Sequence, residues 1–313
     1  MKTTTELEID SILQRIAFCA IPIDWKSENP LPGVGERKSK YRGPGADYIE
    51  FVPFEDGDDP RHINWAMTAR ESDEDIIWRT VHQEEKEVKS VVLVKTGHSM
   101  DFGTVRTTKR HVAAEMVASI FFALDKTRDK AGMILFSRDA VLEDLQPKAA
   151  MTNLYPALEA ILDCDPYAPT AIEQKGNGLA KALSGLPTQK SLVFVVSDFA
   201  DMTETDWLEL GNAACYHDVV CIYVQDRRER ELPKLPGLLG FLGCFYTLQD
   251  HDGNTKVIWN NAANRRAYTA NFQQHEARIL AALEDRLCQS VVVSTEEGDA
   301  AIPKILDLFS GHC

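Results

Sequence analysis

From residue 89 onward, short apolar runs alternate with amphipathic stretches. The runs Val91–Val94, Met133–Phe136, Leu192–Val196, Val219–Val224 and Val291–Val293 are rich in β-branched residues and continuously apolar. That pattern predicts strands buried on both faces, since a half-exposed strand would alternate apolar and polar positions. Between the runs lie helical periods. In residues 107 to 125, Val112, Met116, Ile120, Phe121 and Leu124 form one apolar stripe. Met151 to Leu162 and Thr205 to Cys215 predict shorter helices. Residues 262 to 288 predict the longest, with Tyr268, Phe272, Ile279, Leu283 and Leu287 at helical intervals. A last helix is expected from Ala301 to Phe309. Alternating strand and helix over this length predicts an α/β fold: a mostly parallel sheet with helices on both faces. Ligands of such sheets sit at the carboxyl ends of the strands.

The first 88 residues follow another pattern. Leu7, Ile12, Leu13 and Ile16 predict a short helix. Residues 22 to 47 are rich in Pro, Gly and Lys and read as loop or irregular β structure. Asp47 to Phe54 reads as a strand. Two units are therefore expected: an N-terminal extension with a β-rich subdomain over 1–88, and a main domain over 89–313.

Within the extension, Gly57-Asp58-Asp59-Pro60-Arg61-His62-Ile63-Asn64-Trp65-Ala66-Met67-Thr68-Ala69-Arg70 concentrates charged, amide and indole groups. Its start is turn chemistry, because Pro60 fixes φ and biases Asp59 toward extended backbone. Two readings are open. One is a structural knot, with Trp65 packed into an interface and Arg61 and Arg70 paired to acids. The other is a docking surface, since Trp and Arg are favoured interface anchors.

Composition narrows the function classes. Asp and Glu outnumber Lys and Arg 48 to 34, for a formal charge of −14. A general nucleic-acid surface needs clustered positive charge, and docking on anionic lipid needs the same. No apolar run is long enough for a membrane helix, and Met1 to Glu8 lacks the apolar core of a signal peptide, so a cytoplasmic protein is expected. The seven cysteines (Cys19, Cys164, Cys215, Cys221, Cys244, Cys288, Cys313) form no Cys-x-x-Cys pair and read as reduced, mostly buried thiols.

Catalytic motifs are sparse. There is no Gly-x-x-x-x-Gly-Lys-Ser/Thr loop and no Gly-x-Ser-x-Gly elbow. Asp101-Phe102-Gly103 stands without the other kinase motifs. The acids from Glu55 to Asp59 lack the ligand spacing of a calcium loop. His98 beside Ser99 suggests a nucleophile and base, but neighbours on an extended segment point apart.

Several pieces occur in the order of a known family: Ser39-Lys40-Tyr41-Arg42-Gly43-Pro44-Gly45, the Gly57–Arg70 stretch, Glu84-Glu85, the strand leading to Ser99-Met100, Ser197-Asp198-Phe199, His217-Asp218-Val219-Val220, Leu232-Pro233 and Ser294-Thr295. In this the chain resembles the bacterial domain-of-unknown-function family fifty-eight. That resemblance implies a von Willebrand A-like domain and a MoxR-type AAA+ ATPase partner. In such domains an Asp-x-Ser-x-Ser loop, a Thr and a later Asp hold a divalent ion, using the hard oxygen ligands that Mg²⁺ prefers. Here the corresponding positions are Lys95, Gly97, Ser99, Thr170 and Asp198. The first carboxylate has become an ammonium, so a degenerate metal site is expected, with no cofactor or at most a weakly held Mg²⁺. Lys95 is expected to pair with Asp198. The function implied is a non-enzymatic adaptor acting on a client protein with the ATPase. The alternative is a hydrolase or transferase using His98, Ser99 and Asp198 at the strand-end cleft. Leu232 to Gly243, apolar but broken by Pro and Gly, is expected to be a loop tucked against the core.

Overall fold

A computed structural model describes residues 4–16, 31–42, 48–55, 58–70, 76–87, 89–104, 107–165, 176–234, 244–249, 255–297 and 304. The chain opens with α1 (Thr4–Ile16) and a three-stranded antiparallel sheet. That sheet has β3 (Trp78–Glu87) between β1 (Leu31–Arg42) and β2 (Tyr48–Pro53). Its strands carry register shifts, as expected of a segment broken by Gly and Pro. β2 lies where Asp47 to Phe54 predicts it. β3 had no signal, because its second half is almost entirely polar.

The main sheet has six strands in the order β11-β8-β7-β4-β5-β6. They are β4 (Lys89–Lys95), β5 (Lys130–Phe136), β6 (Val141–Ala149), β7 (Leu192–Ser197), β8 (Asp218–Gln225) and β11 (Gln289–Ser294). All pairings are parallel except β5 with β6. The mostly parallel α/β sheet read from the apolar runs is the fold. β6 escaped the sequence reading because an antiparallel edge strand needs no apolar run. Its residues are mostly exposed, and Pro147 blunts its free edge. The hairpin of β9 (Cys244–Gln249) and β10 (Thr255–Asn260) was also unforeseen.

Each sheet face is covered. On one side α3 (Lys109–Lys126) and α4 (Ala150–Asp163) build a core with Val92, Val94, Phe194 and Ile222. On the other, α5 (Gly178–Ser184), α6 (Glu204–Tyr216) and α8 (Ala262–Glu284) pack against Leu93, Val193, Val195 and Cys221. α7 (Arg227–Arg230) is a single turn after β8. The single stripe expected on α3 is too narrow. Ala113, Ala114, Val117, Ala118 and Ala123 are buried as well. α3 is covered from several sides, by the sheet, by α4 and by α1, whose Ile9, Ile12 and Ile16 are buried in the same core. Arg15 adds a 2.8 Å ion pair to Glu115 on α3. The first helix therefore packs with the main unit, and the expected boundary near residue 88 separates the strands only. On α8, Ile279 and Leu283 are buried, whereas Leu287 lies past its end and is 80% exposed. Leu232 is buried, and 235–243 lie outside the described residues. So does the expected Ala301–Phe309 helix, apart from Lys304.

The strand order creates the crevice that matters. From β4 the chain passes to β5 and β6 on one side, and later to β7, β8 and β11 on the other. The order reverses between β4 and β7, where an open α/β sheet leaves space beyond its carboxyl ends.

Candidate functional site at the strand ends

Lys95 ends β4, and Asp198 follows the last residue of β7. Both side chains reach into the crevice, and Lys95 Nζ donates to Asp198 Oδ1 at 2.7 Å. The pair is almost fully buried, at 4% and 3% side-chain exposure. Lys95 also donates to Asp201. Backbone geometry brings the two acids to one cation. Phe199 between them adopts a left-handed φ of 48°, turning the chain back toward the sheet. Its ring is held edge-on to Tyr223, with centroids 5.9 Å apart, and stacked near Trp207.

A second cation comes from α3. Lys109, its first residue, donates to Asp198 Oδ2 at 3.0 Å and to Glu229 Oε1 of α7 at 2.6 Å. A lysine in the first turn of a helix opposes the helix dipole, and the two carboxylates offset that cost. The Ser99 hydroxyl, near Asp198, helps to lower the pKa of that carboxyl. Asp198 thus joins two ammonium groups, drawn from segments 103 and 89 residues away.

The electrostatics lock these groups in their charged forms. Burial works to raise the Asp198 pKa, but Lys95 and Lys109 overcome it and hold the carboxyl far below the usual carboxylate range. Burial works to lower both lysines, yet Asp198 with Asp201 holds Lys95 above its ordinary value, and Asp198 with Glu229 does so for Lys109. Glu229 is pushed up, chiefly by burial, with Lys109 opposing.

These residues do not fit a divalent ion. The ammonium of Lys95 stands among the oxygens such an ion would use, and both Asp198 oxygens are taken by lysines. Gly97 offers no hydroxyl, and its φ of 132° is a conformation that side-chain-bearing residues rarely adopt. Thr170 lies outside the described residues. Of the alternative set, His98 is exposed, Ser99 is half-buried near Asp198, and Asp198 is buried between the two lysines.

The Gly57–Arg70 stretch is a separate structure on the N-terminal sheet. Gly57 itself lies outside the described residues. Asp58 pairs with Arg79 of β3 at 2.8 Å and accepts from the Glu55 N–H at 3.0 Å. Asp59 caps the turn Pro60–His62 by accepting from the Arg61 N–H at 2.9 Å. Asn64 caps α2 (Trp65–Thr68) by accepting from the Met67 N–H, and its amide donates to Thr80 Oγ1 at 3.1 Å. Its backbone N–H bonds the Trp78 carbonyl at 2.8 Å, while the Trp78 N–H donates to Thr68 Oγ1. Trp65, Arg61 and Arg70 lie at the surface instead. Trp65 is 67% exposed. Arg61 and Arg70 are exposed and enter no ion pair among the described residues.

The family model described as "Protein of unknown function DUF58" matches residues 50–278, most of the chain. The chain belongs to the DUF58 family. The matched span includes both the strand-end cluster and the Asn64 turn. An uncharacterized protein of Mycobacterium tuberculosis (strain ATCC 25618 / H37Rv), Rv1480, is 26% identical over 225 residues, 70% of this DUF58 chain and 68% of the relative. An uncharacterized protein of Mycobacterium bovis, Mb1516, matches to the same extent. Among solved structures, the conserved hypothetical protein BatB from Bacteroides thetaiotaomicron aligns with a TM-score of 0.45 and 17% identity, over 72% of this chain and 98% of that one. An aerotolerance-related membrane protein from Bacteroides fragilis aligns with a TM-score of 0.44 and 15% identity, over 71% and 99%. No helix among the described residues of the DUF58 chain is long and apolar enough to cross a membrane.

Asp201, Lys109 and Glu229 were not foreseen. One signal was available in the DUF58 sequence: Lys109 opens a helix immediately after the cap residue Thr108, where an acid would be favoured.

Proposed function

We propose that this DUF58 chain is a non-enzymatic adaptor that docks protein partners at the rim of its strand-end loops without a divalent ion. It works with a MoxR-like AAA+ ATPase in the cytoplasm. The ATPase hydrolyses ATP and remodels a client protein, while this chain supplies recognition. The observation that carries this reading is the buried Lys95–Asp198–Lys109 cluster. A permanently charged ammonium in place of a metal gives a rigid rim with nothing to load or lose. The same cluster argues against acid–base chemistry, because Asp198 accepts no proton and the lysines release none near neutral pH.

Binding between the purified chain and a MoxR-like ATPase from the same genome tests this. The chain alone should hydrolyse no ATP and should bind the ATPase in EDTA as well as in Mg²⁺ when nucleotide is absent. His98→Glu, a change at an exposed position, should weaken binding without lowering the thermal midpoint. Failure to bind any such ATPase, with and without nucleotide, would falsify the reading.

A further inference from the structure

α7 follows β8 at the strand-end rim and is tied there from several sides. Asp226, its cap, accepts from the Thr104 N–H at 3.1 Å, from Thr104 Oγ1 at 2.6 Å and from Thr295 Oγ1 at 2.7 Å. The start of α8 is bound beside it. Asn260 Nδ2 donates to the Pro233 carbonyl at 3.1 Å, Arg265 Nη1 donates to Asn260 Oδ1 at 3.2 Å, and the Tyr268 hydroxyl reaches the Arg228 carbonyl at 3.5 Å. These bonds gather one sign of charge. Residues 227–234, with Arg265 and Arg266, hold six cations and two acids. Both acids are engaged: Glu229 with Lys109, and Glu231 with Arg227, which also reaches Glu296. The Glu231 carboxyl is held below its ordinary range, first by its bond from Arg227 and further by the charges of Lys234 and Arg228, so these cations surround it. Arg228, Arg230, Lys234, Arg265 and Arg266 enter no ion pair among the described residues. Arg230, Lys234 and Arg266 are exposed, and the other two are half-buried.

Like charges gathered on two bonded elements repel one another. Arg265 also stands in the first turn of α8, where no acid does, against the helix dipole. The segment that follows Lys234, 235–243, carries no charge of its own. Carboxylates from outside would relieve both costs, and a guanidinium fork takes a carboxylate by both oxygens. The patch is an island of one sign in a protein of net charge −14. A long polyanion laid across it would run onto acidic surface and be repelled, whereas a short acidic segment would not. We propose that this cationic edge of the strand-end rim receives an acidic segment of the partner protein. The proposal rests on the adaptor reading for the partner's being a protein, and adds what that partner must present.

A fluorescent oligoglutamate peptide, titrated with the full chain and followed by anisotropy, tests it. The parent should bind the peptide despite its own negative charge, and more weakly as salt rises. Arg230→Glu and Arg266→Glu, both at exposed positions, should each weaken binding about fivefold or more, with the thermal midpoint unchanged. Lys148→Glu makes the same change in net charge at an exposed position of β6, the far edge of the main sheet, and should leave binding as it is. No binding by the parent, binding untouched by both arginine changes, or an equal loss in all three variants overturns the inference. So does tighter binding of an oligothymidylate, which would make this a surface for nucleic acid. The MoxR-like ATPase is titrated separately. Peptide binding without ATPase binding removes the adaptor reading and leaves this surface standing. ATPase binding without peptide binding does the opposite.

Discussion

Lys95 Nζ lies 2.7 Å from Asp198 Oδ1, buried at the point where the strand order of the main sheet reverses. The other Asp198 oxygen is held by Lys109 at 3.0 Å. One carboxylate therefore serves two ammonium groups, and the two kinds of partner are not equivalent when removed. Asp198→Asn leaves Lys95 with Asp201 alone and Lys109 with Glu229 alone. Lys95→Ala leaves Asp198 with Lys109 still bound. Breaking a buried pair costs about 3–5 kcal/mol, so Lys95→Ala should fall near the lower end and Asp198→Asn above it. Urea unfolding followed by circular dichroism gives the ranking, and the reverse order would contradict the shared-carboxylate arrangement.

The cluster also predicts a pH window. Asp198 is depressed in the folded chain, so its contribution is complete above its ordinary value of 3.8 and fades as pH falls through the depressed one. Lys95 and Lys109 are raised, so theirs is complete below their ordinary value of 10.5 and fades as pH climbs through the raised ones. Glu229, pushed up chiefly by burial, acts in the opposite sense, and Glu229→Gln removes that effect. Urea midpoints measured across pH should show a broad plateau that drops at both ends, with Asp198→Asn flattening the acid limb.

Isothermal titration with Mg²⁺ or Mn²⁺ should show no stoichiometric binding. Lys95→Asp alone should not create it, because Gly97 supplies no hydroxyl. Adding Gly97→Ser should cost stability, since the backbone there sits at φ 132°. Tight binding by the parent chain that disappears in Asp198→Ala would show that the lysines do not replace a metal.

Asn64→Ala and Trp65→Ala should part company although the residues are adjacent. Asn64 caps α2 and bonds Thr80, so its loss should cost about 1–2 kcal/mol. Trp65 is exposed, and its loss should change stability by no more than about 0.5 kcal/mol. Thermal unfolding of the two variants side by side is sufficient. An equal cost would mean that the indole is structural.

Gly178 marks a close approach of α5 to the loop after β5. A Cβ there would stand 1.9 Å from the Ser137 carbonyl oxygen and 2.8 Å from that of Arg138. Both are backbone atoms that no rotamer change can move. Gly178→Ala should cost about 3 kcal/mol and lower the urea midpoint. A neutral effect would show that this loop can shift freely.

The sequence by itself determined the parallel core. Strands such as Leu192–Ser197 are buried on both faces and must therefore be apolar throughout, a local property that composition records. It also marked the Lys95 position, where an ammonium replaces an expected carboxylate. Only the tertiary structure decided what that ammonium meets. Asp201, Lys109 and Glu229 arrive from a turn and two helices, and no local pattern links residues that lie about a hundred positions apart. β6 and the β9–β10 hairpin stayed hidden for the complementary reason. Edge strands and hairpins bury little, so their residues were free to be polar or mixed. The Gly57–Arg70 stretch divides along the same line. Its turn and caps could be read locally, because they are bonds between near neighbours. Whether Trp65 would be covered depended on what the rest of the chain brought beside it, and the fold leaves the indole in solvent.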